Sequence, residues 1–372
     1  MAEKKKFAIL GAGNSGQTYA GYLTMKGYPV GLFDFFEDTV RAINEKGSIE
    51  ISGAIEATIP FENASTDIKS VVQDAAVIMI INPALYHRKL AGELARCLTP
   101  EQIVFINPAS TFGAFAFKKA LMDNGYDKDV VLAESNTSLF ACRLSEPGKS
   151  FIGGKKDRIL VSPFPAQGNM DRLVDVLGEA IPEIQPVRNV ISTSMDNTNP
   201  GVHPAPMILN CSWVESGQKF SFMHEAVGPT VEKILEKMDA ERIALGQKLG
   251  LTLGKDLFTL IMQYEQEYRV SGTTGLAETF KACKTYDKIY SPNSLQHRYI
   301  TEDVPAGLTP LADVGEQVGV PMEKTRLIVD ICEKVLEQDF TKGENCRSAA
   351  NLGIAGMSAE EIVHYAETGR KK

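Results

Sequence analysis

Apolar and polar positions divide the chain into two halves of different rhythm. In the first, short continuous apolar runs recur: "KFAIL" (6–10), "YPVGLFD" (28–34), "AAVIMII" (75–81), "QIVFIN" (102–107), "VVLAES" (130–135) and "RILVSPFP" (158–165). Runs this short, bounded by Gly or Pro and apolar at consecutive positions, predict strands buried on both faces of a parallel sheet. Between the first two, "NSGQTYAGYLTMKG" (14–27) spaces Tyr19, Tyr22 and Leu23 along one helix face and stops at Gly27. Asn82-Pro83 and Asn107-Pro108 follow two of the runs. Proline ends the strand there and opens a loop at the carboxyl edge of the sheet. The alternation predicts a doubly wound α/β fold of the Rossmann type.

From about residue 200 the period becomes helical. In "PTVEKILEKMDAERIALGQKLG" (229–250), Val231, Ile234, Leu235, Met238, Leu245 and Leu249 follow helical spacing. In "PMEKTRLIVDICEKVLEQDF" (321–340), Pro321 suits a first helical turn, and Leu327, Val329, Ile331 and Val335 supply the expected apolar faces. Ser358 and Glu361 have the spacing of a capping box. The change of rhythm falls near 187–192. It predicts a Rossmann-type dinucleotide-binding domain over 1–188, followed by an all-α domain over 189–372.

Composition adds exclusions. A chain of 372 residues exceeds one ordinary core. Its 44% hydrophobic and 23% charged residues are those of a soluble globular protein. A net charge of -8 argues against nucleic-acid binding. The longest apolar run near the start, 75–81, is too short to span a bilayer. The opening "MAEKKKFAILGAG" lacks a small-x-small cleavage site. Six Cys, at 97, 142, 211, 283, 332 and 346, show neither a CxxC pair nor metal-ligand spacing with His. Reduced thiols, a cytoplasmic location and no metal are expected. Cys142 and Cys211 read as small core residues.

"FAILGAGNSGQ" contains a GxGxxG loop, with Gly11, Gly13, Asn14, Ser15 and Gly16 as the expected cofactor contacts. It follows a strand, opens a helix, and is followed by Asp34 at the end of the second strand. In that context the glycines allow a tight turn, approach to a pyrophosphate and close helix packing, and the acid binds ribose hydroxyls. Phe35 and Phe36 follow Asp34 with no Arg or Lys beside them, so NAD is expected over NADP.

The helical half opens on "NTNPGVHP" (197–204). Dehydrogenases built on this plan often place a Lys general acid here, but the window 191–210 has none. His203 occupies the place of the proton-transfer group, and its ordinary pKa suits that work near neutral pH. Asn197 and Asn199 are within reach of a substrate or a nicotinamide amide. Further along, "NSLQHRYITEDVPAGLTPL" (293–311) carries Arg298, Glu302 and Asp303. Asp303 on the far ring nitrogen would set the tautomer of His203. Arg298 would grip a carboxylate through paired hydrogen bonds, or form a structural ion pair with Glu302 or a helix end. Arg143 in "LFACR" is a second substrate candidate. Glu302 reads as a solvated neighbour, His87 as a surface-loop residue, and His224 and Tyr299 as packing residues.

Read together, "LGAGNSGQTYAGYLTMKG", "ESNTSLFACR", "NTNPGVHP" and "RYITEDVPAGLTPL" resemble the opine dehydrogenases over essentially the whole chain. That family includes the octopine and nopaline enzymes and the bacterial carboxyethyl-norvaline type. The "NxNxxxHP" and "RYxxEDVxxGLxPL" pair carries the likeness far more specifically than the glycine loop. The resemblance implies a catalytic pair at His203 and Asp303, cofactor glycines at Gly11, Gly13 and Gly16, and an NAD-selecting acid at Asp34. It implies reductive condensation of a 2-keto acid, typically pyruvate, with the amine of an L-amino acid through an imine. A homodimer is also expected, since broad apolar helix faces often pair. Two other readings stay open on the residues: a simple keto-acid or hydroxy-acid reductase of the ketopantoate-reductase or glycerol-phosphate-dehydrogenase kind, and a non-catalytic NAD-sensing protein.

Overall fold

A computed structural model describes residues 4–252, 256–262, 270–287 and 289–372. The expected runs form β1 (Phe7–Leu10), β2 (Val30–Phe33), β6 (Val77–Ile80), β7 (Ile103–Ile106), β8 (Val131–Ser135) and β11 (Ile159–Phe164). Every residue of β1, β2, β6, β7 and β8 is buried. That is why these strands read as continuous apolar runs rather than alternations. With β5 (Ala64–Ser65) and β12 (Ile184–Pro186) they make an eight-stranded sheet of order β12-β11-β8-β7-β6-β1-β2-β5. All neighbours are parallel except β11, which runs antiparallel to β8. The helix α1 (Asn14–Met25) follows β1 directly, and Gly27 ends it at φ +83°. The helix α2 (Glu37–Lys46) follows β2, and α4 (His87–Leu94) follows β6.

A second sheet was not expected. It has four strands in the order β4 (Ala57–Pro60), β3 (Ser48–Gly53), β10 (Lys149–Lys155), β9 (Phe140–Glu146). Along β9, Phe140 and Cys142 are buried while Ala141 and Arg143 are exposed. The buried face meets α1: the Phe140 ring lies 5.1 Å from both Tyr19 and Tyr22, edge-on.

The chain divides into two compact units. The first comprises Met1–Ala109, Gly113–Thr193 and Ala366–Arg370; the second comprises Ser110–Phe112, Ser194–Tyr365 and Lys371–Lys372. The sequence division gave all of 189–372 to the helical part. Residues 189–193 and Ala366–Arg370 instead fall in the first unit, and Ser110–Phe112 in the second; within the first unit, Ala166 and Gln167 donate backbone hydrogen bonds to the carbonyls of Ala366 and Glu367.

The second unit is helical. Its elements include α8 (Asn199–Val202), α9 (Pro204–Leu209) and the long α12 (Pro229–Lys248), which buries Leu235, Met238 and Leu245 as expected. The capping box forms: Glu361 N–H donates to Ser358 Oγ (3.3 Å) and Ser358 N–H to Glu361 Oε2 (2.7 Å). The helix over Glu323–Leu336 differs from expectation. Pro321 lies outside it, before the N-cap Met322. Its buried face is Thr325, Ile328, Val329 and Cys332, whereas Leu327 and Val335 are about half exposed (52% and 50%). Six aliphatic residues in fourteen left two plausible stripes, and packing selected the one through Ile328. Burial there pushes the Cys332 thiol up to about 12, so it stays protonated. All six cysteines are free. Among the described residues no helix is long and apolar enough to cross a membrane.

The displaced stripe is directly testable. Ile328→Ala should cost about 2–5 kcal/mol of stability, the usual range for a buried Ile truncation. Leu327→Ala should stay within about 0.5 kcal/mol. Urea or thermal unfolding of the two variants distinguishes the stripes, and equal losses would contradict the burial described.

Candidate active site

The glycine loop lies where the first strand hands over to α1. Gly11 has φ +106°, and a Cβ there would come within 2.7 Å of the Asn82 side chain. A Cβ on Gly16 would lie 1.6 Å from the Gly11 carbonyl oxygen, so only glycine lets the helix start this close to the turn. Gly13 is the helix N-cap, and a Cβ on it would meet nothing within 4 Å. The helix has no side-chain cap and no acid in its first turn. Its first N–H groups are therefore not taken by a capping side chain, the arrangement that receives a phosphate.

Asp34, at the end of β2, is buried against this loop. Its Oδ2 accepts from the Ala12 N–H (2.6 Å) and its Oδ1 from the Phe36 N–H (3.1 Å). A carboxylate has about four acceptor positions, so two amides aim Asp34 and leave capacity for two hydroxyls. One cation does come near. Lys89, from α4, stands over the Phe35 ring at 3.7 Å from its centroid. The expectation of no nearby Arg or Lys was limited to local sequence, and the helix after β6 supplies this one from outside that window.

Further polar groups gather at the carboxyl ends of β6 and β7. Asn82 Oδ1 and Asn107 Nδ2 are buried and have no hydrogen-bond partner. Asn107 Oδ1 accepts from the Tyr19 hydroxyl (3.1 Å), which itself accepts from the Leu139 N–H (3.1 Å). Complete burial pushes the Tyr19 phenol far up, so it remains a neutral donor. Unpaired buried amides at this edge of a doubly wound sheet suit a nicotinamide dinucleotide. The cofactor therefore fits the residues present. Sequence reasoning marked the prolines after Asn82 and Asn107 but not the asparagines. A polar residue directly after a fully buried strand was the available signal.

Arg143 belongs with this loop. It is exposed on β9, and its Nη1 donates to the Cys142 carbonyl. On either side of it, Cys142 Sγ lies 3.6 Å from Ser15 Oγ, and the Leu144 N–H donates to Asn14 Oδ1 at 3.0 Å. The structure thus groups Arg143 with Asn14 and Ser15 in the first unit, a different grouping from the expected substrate set. His87 is also not a surface residue. It is 4% exposed at the start of α4, with Nε2 3.1 Å from the Asn82 carbonyl oxygen.

In the second unit two prolines begin two short helices, and His203 is the joint. It closes α8 by donating its N–H to the Asn199 carbonyl (3.1 Å), and it caps α9, whose first residue is Pro204. Pro204 has no N–H to continue the first helix. Asn197 turns its Oδ1 back to the Asn199 N–H (3.2 Å). The ring Nδ1 of His203 lies 2.8 Å from Asp303 Oδ2, and both side chains are largely buried. An ionised carboxylate only accepts, so Nδ1 carries the hydrogen. No described residue takes up Nε2 with a hydrogen bond.

The segment that brings Asp303 here is a four-residue helix, Arg298–Thr301, followed by a π turn, Val304–Leu308. Leu308 donates to the Asp303 carbonyl across five residues. Single π turns recur at functional sites. The turn fits because Gly307 has no side chain: a Cβ would lie 2.4 Å from Pro200 Cγ of α8. Glu302 is not a solvated neighbour. It is 5% exposed, and its Oε2 lies 2.9 Å from Arg298 Nη2. Their spacing of four on a helix was a legible signal for that pair. The Arg298 side chain is otherwise half exposed (56%). Tyr299 stacks on the His203 ring, a tertiary contact with no trace in local sequence. His224 Nε2 lies 3.0 Å from the Cys283 carbonyl oxygen.

This geometry can be compared with known proteins. The chain is 32% identical to an opine dehydrogenase of Arthrobacter sp. (strain 1C), over 97% of this chain and 99% of that one. It belongs to the opine dehydrogenase family. Residues 186–336 match the alpha-helical domain of NAD/NADP octopine/nopaline dehydrogenases, a span that holds both His203 and Asp303. Residues 6–109 match the N-terminus of NAD-dependent glycerol-3-phosphate dehydrogenase. The ocs protein of Agrobacterium vitis is 26% identical, over 96% of this chain and 98% of that one. An octopine dehydrogenase structure with NADH and L-arginine shares the fold, with a TM-score of 0.77, 17% identity and 99% of each chain covered. As a member of the opine dehydrogenases, the chain is an NAD-dependent oxidoreductase acting on CH–NH groups.

Within this family member, the close approach at Gly307 is the weak point of the His203–Asp303 pair. Gly307→Ala should lower stability by about 1–3 kcal/mol, as overpacking does, and should cut turnover with little change in NADH affinity. Fluorescence titration of NADH beside steady-state rates tests this; unchanged turnover in the folded variant would contradict it.

Proposed function

We propose that this chain reductively condenses a 2-keto acid with the amino group of an L-amino acid, and catalyses the reverse oxidation. The observation that carries the reading is the 2.8 Å contact between His203 Nδ1 and Asp303 Oδ2, inside the span that matches the octopine/nopaline helical domain. Octopine dehydrogenase has been solved with NADH and L-arginine, and with NADH and pyruvate. Pyruvate is accordingly the keto acid of first choice.

The residue roles follow from the chemistry. Attack of the amine nitrogen on the keto carbon forms a C–N bond and gives a carbinolamine. In forming it, His203 Nε2 carries one proton from the attacking nitrogen to the keto oxygen; it then carries a second nitrogen proton to the resulting hydroxyl, which leaves as water as the C–O bond breaks and the C=N bond of the imine forms. Asp303 holds the ring so that Nε2 is the exchanging atom and supports the charge when the ring is protonated. When bound, the nicotinamide would supply the hydride that reduces the imine carbon, and a proton taken up from water completes the secondary amine. Gly11, Gly13, Asn14, Ser15 and Gly16 would hold the pyrophosphate, and Asp34 would hold the ribose. Glu302 engages one corner of Arg298, and the rest of that five-donor fork receives a substrate carboxylate. Asn199 borders the same site.

The competing reading, reduction of a simple keto acid, draws on the glycerol-3-phosphate-dehydrogenase match, which covers 6–109 only. The two readings differ in one measurement. NADH consumption with pyruvate should require an added L-amino acid, and a panel of amines should show which. Turnover at full rate without any amine would overturn the proposal. His203→Asn should leave NADH affinity nearly unchanged and reduce turnover by about 10²–10⁴-fold, the usual contribution of a general acid–base. Near-normal turnover in that variant would remove His203 from its role.

A further inference from the structure

We propose that Tyr299 is a positioning residue for His203, a planar clamp that fixes the direction of the imidazole Nε2. The inference rests on the reading of His203 as the proton carrier.

The geometry begins with what the Asp303 contact leaves open. A hydrogen bond at Nδ1 fixes one atom of the ring. The ring can still rock about the line joining Nδ1 to its acceptor, and that motion sweeps Nε2 through an arc. The phenol ring of Tyr299 lies against the imidazole face with centroids 4.0 Å apart and planes 18° from parallel. A near-parallel ring at this distance blocks the rocking on that side. Hydrogen bond and stack together determine the plane and the direction of Nε2.

Tyr299 is itself braced. Phe222, fully buried, packs on it at 5.0 Å between centroids, and the His297 ring meets it edge-on at 4.5 Å. The Tyr299 N–H donates to His297 Nδ1 at 3.3 Å, which caps the short helix. The same helix begins with Arg298, and the Asp303 N–H donates back to the Arg298 carbonyl (3.1 Å). One stretch of six residues therefore carries the clamp, the hydrogen-bond partner of the imidazole and the cation assigned to the substrate. A residue present only to fill the core would not need to be planar. A clamp does, and it does not need the phenol hydroxyl.

The test compares side chains by planarity. Tyr299→Phe keeps the ring and should hold kcat within about threefold of the parent. Tyr299→Leu removes the plane and should lower kcat about 10- to 100-fold, the scale on which misplacement of a reacting group acts. KM for pyruvate and amine and the NADH affinity should move far less than kcat. If Tyr299→Leu does not yield folded protein, Tyr299→Met, unbranched and non-planar, carries the same comparison. In a double-mutant cycle, adding Tyr299→Leu to His203→Asn should produce no further loss, because the clamp acts only through the imidazole. Equal kcat for the planar and non-planar variants, or additive losses in the cycle, would overturn the inference. A fully active His203→Asn would instead overturn the reading beneath it.

Discussion

The second unit is organised around one hydrogen bond between residues a hundred positions apart, His203 and Asp303. Several otherwise odd features exist so that it can form. Two prolines cut the chain into α8 and α9 and leave His203 at the break. A π turn follows Asp303 at once, and its backbone comes so near to Pro200 that Gly307 can carry no side chain. The Ser110 hydroxyl and the Thr111 N–H both donate to the carbonyl of Ala306 in that turn, at 3.0 and 3.2 Å. The turn is thus held from the side as well as through the chain. Ser110 and Phe112 adopt positive φ, 60° and 51°, a conformation unfavourable for residues other than glycine and kept only where surrounding contacts demand it.

The first unit solves a different problem with similar means. There the constraint is backbone on backbone, Gly16 against the Gly11 carbonyl, and it sets where α1 begins. Asp34 is aimed by two amides, one from the loop itself, so its carboxylate is tied to the glycine loop. A displacement of the loop would move both together. The fully buried strands behind it give the loop a rigid base, and rigidity in the support of a binding site is what lets a few hydrogen bonds discriminate.

How much of this was readable in the chain depends on whether the signal was local. The six apolar runs announced the central sheet because burial on both faces leaves nothing to interpret. β9 and β10 escaped notice because they are half exposed, and β10 contains Gly153 and Gly154, which lower strand propensity. The helix face through Ile328 was misjudged because Leu327 and Val335 are equally apolar, and only tertiary packing separates the two stripes. At the site, His203 stood out by its isolation among prolines and Asp303 by the motif around it. Glu302 was legible only through its spacing from Arg298. Tyr299 and Lys89 were not legible at all, since their partners lie far away in sequence. Contacts closed across a hundred residues leave no periodicity to read.

The backbone bonds from Ala166 and Gln167 to Ala366 and Glu367 have a consequence for biosynthesis. The first half of the chain contains nearly all of the cofactor-binding sheet, yet one strip of its unit, Ala366–Arg370, is synthesised only after Ser194–Tyr365 of the helical unit. Until that strip is made, the backbone N–H groups of Ala166 and Gln167 lack these partners. The helical unit must be synthesised in between, and the helix Ala359–Thr368, started by the Ser358–Glu361 box, delivers the missing strip.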